Sequence, residues 1–124
     1  MQGQLEFHDS EVRSMALHNG TLTLTFSAAF VQADGAGAGY VQSLEIACTE
    51  ANVDGPLADG VGRLSHGTLW VDGVTLLALP FPYTSPGPVR LELQFSNGTR
   101  LAMGAATLEC RFTGDPKFVE SFAC

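Results

Sequence analysis

Thr21-Leu22-Thr23-Leu24-Thr25-Phe26-Ser27 is the stretch that decides the fold class. Leu22, Leu24 and Phe26 fall on one side and the hydroxyl residues on the other, the period of two that belongs to a half-buried strand. Asn19-Gly20 precedes it, and Glu11–His18 precedes that. Asn-Gly between two extended runs predicts a tight hairpin, because both central residues must accept positive φ. The same device is expected at Asn97-Gly98, between Val89–Ser96 and the run from Arg100. Asp72-Gly73 predicts a third turn, and Tyr40–Thr49 a further strand with Leu44, Ile46 and Cys48 inward. After Ala106 the alternation slips by one, so that Leu108, Cys110 and Phe112 become the apolar set; this predicts a β-bulge near Gly104–Thr107.

The expected core is Leu24, Phe26, Ile46, Leu91, Leu93, Phe95 and Leu101. No window of eleven or more residues carries a helical apolar stripe. The tail Pro116–Phe122, with Asp115 as N-cap, offers at most one short C-terminal helical turn, and an extended edge is the alternative. Gly35–Gly39 and Asn52–Gly62 read as loops, and Pro80, Pro82, Pro86 and Pro88 as a rigid connection tolerated at a sheet edge. The expectation is therefore a single all-β domain over residues 1–124, an antiparallel β-sandwich of seven to eight strands, with a small β-barrel as the alternative.

Composition narrows function by exclusion. The chain has 124 residues, 45% of them hydrophobic and 15% charged, which supports one core. Six Lys and Arg against 13 Asp and Glu give a net charge of -7. That balance argues against nucleic acid and against an anionic membrane surface as partners. The N-terminal residues lack the pattern of a signal peptide, no segment is apolar enough to span a membrane, and the odd cysteine count (Cys48, Cys110, Cys124) does not suggest a disulfide framework. A cytoplasmic location with reduced thiols is expected, and five arginines to one lysine suit a GC-rich bacterial coding sequence. Asn19-Gly20-Thr21 and Asn97-Gly98-Thr99 read as turns rather than glycosylation sites.

The candidate binding residues are His8, Asp9, His66, Trp70 and Tyr83. His8-Asp9-Ser10 carries the letters of a catalytic triad, yet neighbours on a strand point to opposite faces and no oxyanion hole accompanies them. The phrase reads instead as turn capping, with Asp9 and Ser10 capping the turn before the strand and His8 bonding a neighbouring backbone group. His8, His18 and His66 lie far apart in sequence, so no metal site and no cofactor are expected. Asp54 and Asp59 read as a solvated acidic loop without EF-hand spacing, and Gly35–Gly39 lacks the helix that a phosphate loop needs. Trp70 faces the core or offers a stacking platform, and Phe81 and Tyr83 around Pro82 form a binding rim or a core lid.

Phe7-His8-Asp9-Ser10-Glu11-Val12 with its neighbouring hairpin, and the ending Gly114-Asp115-Pro116-Lys117-Phe118-Val119-Glu120-Ser121-Phe122, resemble small bacterial all-β proteins of unknown function. Some such acidic proteins are immunity proteins to secreted toxins, so the resemblance implies a protein partner and no particular site residues. The expectation is a non-enzymatic cytosolic module that binds a protein or forms a homodimer. The alternative is a small-ligand or carbohydrate-binding β-sandwich, and a hydrolase ranks third because no nucleophile, base and orienter converge.

Overall fold

In the computed structural model, which describes residues 1–121, the alternating runs form thirteen strands, all of their pairings antiparallel. They are β1 (Gly3–His18), β2 (Thr21–Ala33), β3 (Gly37–Val41), β4 (Leu44–Thr49), β5 (Asn52–Asp54), β6 (Gly62–Val71), β7 (Val74–Leu76), β8 (Ala78–Phe81), β9 (Tyr83–Thr84), β10 (Val89–Phe95), β11 (Arg100–Ala105), β12 (Thr107–Phe112) and β13 (Val119–Glu120). The described residues contain no α-helix, and a 3-10 turn spans Leu57–Asp59. Among the described residues no helix is long and apolar enough to cross a membrane. The hydrogen-bonded path runs β5-β11-β10-β6-β1-β2-β4-β12-β9 and stays open at both ends, so the sheet is not closed into a barrel.

The strand count exceeds the expected seven to eight because several apparent loops and long runs are short strands. Asn52–Asp54 pairs with β11 and Gly37–Gly39 with β2, although loops are expected at both. The run Tyr40–Thr49 is divided at Ser43, which has φ +62°, into β3 and β4. The proline-rich segment becomes β8 and β9 on either side of Pro82: β8 pairs with the start of β1, and β9 with β12. Ser85 pins the turn after β9, its buried hydroxyl accepting from the Leu108 N–H and donating to the Gly87 carbonyl, each at 2.9 Å. The helical turn expected after Asp115 is absent through Ser121. The Asp115 carboxylate accepts from the Lys117 N–H at 3.2 Å, a local turn, and β13 then pairs with β3. Phe122 and Cys124 lie outside the described residues.

Two of the three turns have the expected geometry. Asn19 and Gly20 lie at φ +50° and +78°, and Asp72 and Gly73 at +50° and +76°. At Asn97-Gly98 positive φ is confined to Gly98, at +92°. There the loop is Ser96–Gly98, closed by the Phe95 N–H donating to the Thr99 carbonyl and stiffened by the Asn97 side chain accepting from the Thr99 N–H, each at 2.8 Å. A third loop residue lets the first two keep negative φ, leaving the left-handed position to glycine.

The phase slip is not a bulge. β11 ends at Ala105, paired with Val89 of β10, and β12 begins at Thr107, paired with Thr49 of β4. The chain changes partners at Ala106, and the buried set changes parity with it. All seven expected core residues are buried, together with Leu5, Phe7, Val31, Leu64, Leu69 and Phe81, in one continuous cluster. Cys48 and Cys110 belong to it as free thiols, and burial pushes each pKa up to about 12.

Candidate functional site

His8-Asp9-Ser10 lies within β1 rather than before it. Glu6 pairs with Phe30 and Glu11 with Ala28, so four residues of β1 stand opposite the single Ala29 of β2. Asp9 absorbs the excess at φ +66°. The ladder is mended by Ser10, which is fully buried: its hydroxyl donates to the Glu6 carbonyl at 2.6 Å and accepts from the Phe30 N–H at 2.8 Å. Both functions of that hydroxyl are spent on backbone, so it is a bulge-mending group and not a nucleophile. Asp9 is exposed on the bulge. His8 is exposed too, its ring T-shaped to that of Phe30 with centroids 5.9 Å apart and its Nδ1 at 3.9 Å from a Glu6 carboxylate oxygen.

Of the five candidate residues the fold brings two together. His8 and His66 line one recess of about 250 Å³ with Glu6, Phe7, Gly67 and Leu77. Gly67 is obligatory there, because a Cβ on it would lie 2.5 Å from the Phe7 ring. The described residues contain no group of three His, Cys, Asp or Glu placed to hold a metal ion. Tyr83 sits half-buried against the core on β9, remote from both histidines in the pairing order. Trp70 points outward from β6, half-buried between Thr75 of β7 and Arg90 of β10.

The outward face of β6, β10, β11 and β5 carries a polar grid set by the register. One cross-strand row is His66, Gln94, Arg100; the next is Thr68, Glu92, Ala102, Asp54; the third is Trp70, Arg90, Gly104, Asn52. The small residues Ala102 and Gly104 stand between taller neighbours on β10 and β5, so β11 forms the floor of a trough. Two connected recesses mark it, about 400 Å³ around Asp54, His66, Glu92 and Arg100, and about 310 Å³ around Asn52, Arg90 and Gly104, sharing Asp54 and Ala102. Within the grid Arg90 approaches Glu92 at 3.5 Å and the Thr68 hydroxyl approaches His66 Nε2 at 3.2 Å. Among the described residues Asp54 and Arg100 have no ion-pair partner.

Sequence reasoning missed Asn52, Glu92, Arg100, Ala102 and Gly104, and set Asp54 aside as part of a solvated loop. Asn52–Asp54 looks like loop, and Gly104 like part of a bulge. The available signal was the pair of small residues at the outward positions of Leu101-Ala102-Met103-Gly104-Ala105, where a strand ordinarily carries larger side chains. No known protein family, curated protein or solved structure matches the chain.

Proposed function

We propose that this chain is a non-enzymatic β-module of sandwich type that binds an extended strand of another protein, a second copy of itself being the partner that its free edge fits. Support for the sandwich comes from the single core, to which the inward faces of β10–β11 and of β2–β4–β12 both contribute. The observation that carries the binding role is β7. Strand edges are normally guarded by proline, charge or covering segments. β8 contains Pro80, β9 lies between Pro82 and Pro86, β5 carries Asp54, and β13 carries Glu120. Among the described residues β7 pairs only with β6, and Gly73–Leu79 contains neither charge nor proline. Val74 and Leu77 are 56% and 62% exposed.

The hairpin geometry says which groups the edge offers. Val71 and Val74 flank the two-residue Asp72-Gly73 turn, and Trp70 pairs with Thr75. In such a hairpin the flanking pair exchanges hydrogen bonds and the next pair does not, so the Thr75 N–H and C=O point away from β6. A two-fold axis at Thr75 would set Val74 of one copy opposite Leu76 of the other, apolar against apolar, in a self-complementary contact. The net charge of -7 disfavours nucleic acid, and two unpaired thiols suit a reducing cytoplasm. Sedimentation of the full chain over a range of concentrations tests the reading. Concentration-dependent dimers are expected, lost in Thr75→Pro, which removes the outward donor while leaving the β6–β7 hydrogen bonds in place. A wild-type chain that stays monomeric throughout refutes self-pairing.

A further inference from the structure

The trough over β11 lies three strands from β7, so what it does is independent of the edge reading. Its floor contains an unexplained glycine. Gly104 is the fifth of six residues in β11 and is paired on both sides, with Arg90 and Asn52; its φ lies outside the left-handed range, and a Cβ on it would meet nothing closer than the Val89 carbonyl oxygen at 3.9 Å. Neither backbone conformation nor packing within the chain requires glycine there. Glycine inside a strand weakens it, and one recurring reason for its presence is the close approach of a ligand to the backbone. With Ala102 two residues away, the floor is left low over two successive outward positions, and Arg100, the third, stands ~13 Å from Gly104 at the usual strand rise.

The walls define the ligand. Arg90 and Glu92 rise from β10, and Asn52 and Asp54 from β5, across two strand spacings, ~9.5 Å between backbones. Each of these side chains is planar and two-pronged, able to present paired donors or acceptors. Adjacent hydroxyls on a sugar ring offer the complementary pairs. The four charges along the trough, Arg90, Arg100, Asp54 and Glu92, sum to zero, which favours an uncharged occupant over an anion or a cation. Glu92 and Asp54 are also open to solvent, with the Glu92 side chain 46% exposed, whereas a general acid for glycoside cleavage needs burial to hold its proton. The site is built for binding rather than hydrolysis. We propose that the trough above Ala102 and Gly104 seats a short neutral oligosaccharide, held by Asn52, Asp54, Arg90 and Glu92 with the sugar face lying against the bare Gly104 backbone.

Amide NMR titration of the full chain with maltotriose, cellotriose and tri-N-acetylchitotriose tests this. At least one is expected to give saturable shifts confined to Asn52–Gly55, Arg90–Gln94 and Arg100–Gly104. Gly104→Val is expected to weaken that binding at least about tenfold while raising Tm, because it fills the trough and improves the strand. Asp54→Asn, on the exposed rim, gives a second variant whose folding is not at issue, and weaker binding is expected there too. Absence of saturable shifts with all three sugars at about 10 mM, far above a millimolar Kd, overturns the proposal. So do shifts that map elsewhere, or unchanged affinity in Gly104→Val.

Discussion

The outward faces of the two halves of the sheet satisfy their polar residues to different degrees. Over β4 and β12 the polar groups satisfy one another: Arg111 donates to Glu45 at 2.8 Å and to Glu109 at 2.7 Å, and the Thr49 and Thr107 hydroxyls bond across the same pair of strands. Those carboxylates hold the Arg111 guanidinium above its ordinary pKa. Over β10, β11 and β5 the charges stand around a trough floored by Ala102 and Gly104, and Asp54 and Arg100 lack ion-pair partners among the described residues. A face that closes on itself has little left to offer a ligand. A face that pairs Arg90 with Glu92 yet leaves Asp54 and Arg100 without ion-pair partners among the described residues, over small residues, retains those two for something else.

The difference must disappear in the core that lies beneath both faces. Leu93→Ala under the open face and Ile46→Ala under the closed one should each destabilise by about 2–5 kcal/mol in urea unfolding. A near-neutral result at either position would mean that the two halves do not share one core. Alkali should sort the halves instead, because both buried thiols lie under the closed face. Burial raises their pKa from 9.0 to about 12, so the neutral thiol is favoured in the folded state. That contribution is intact below pH 9 and is lost as pH rises through about 12, with a slope of about 1.4 kcal/mol per pH unit for each thiol above 9. Cys48→Ala and Cys110→Ala should flatten the stability curve between pH 9 and 12, and an unchanged curve would contradict the burial.

Ser10→Ala should cost about 1–3 kcal/mol, since it strands the Phe30 N–H beside the bulge. If hydrogen exchange at Phe30 remains as slow as in the parent protein, the hydroxyl is not mending the ladder. The faces themselves should give the smallest and most telling effects. Arg111→Ala should lose at most about 1 kcal/mol, as exposed ion pairs do. Gly104→Val should gain on the order of 0.5–1 kcal/mol by thermal unfolding, the reverse sign on the opposite face. Destabilisation by Gly104→Val would mean that the trough floor is needed for folding and is not held open for a ligand.

The candidate site was far less legible in the sequence than the core. Leu24, Ile46, Leu91 and Leu93 announce their burial through alternation, a local signal. Asn52 and Asp54 give none, because three residues are too few to show a period, and their strand exists only because β11 lies alongside. His8-Asp9-Ser10 is conspicuous for its chemistry, yet its serine is committed to backbone. Trp70 and Tyr83 look like partners in a rim and occupy separate parts of the sheet. Residue type marks what a side chain can do, whereas convergence depends on register between strands distant in sequence.

The sequence by itself determined an antiparallel all-β chain, the burial of Leu24, Phe26, Ile46, Leu91, Leu93, Phe95 and Leu101, two left-handed hairpin turns and a net charge of -7. Those features come from period, turn chemistry and composition, which act over a few residues or over the whole chain at once. Tertiary structure decided the rest: the partner change at Ala106, the bulge that consumes Ser10, the edge left free at β7, and the grid that places Glu92, Ala102 and Asp54 in one row. Each depends on which strand lies beside which. That choice comes from burying one shared core, and no window of the sequence contains it.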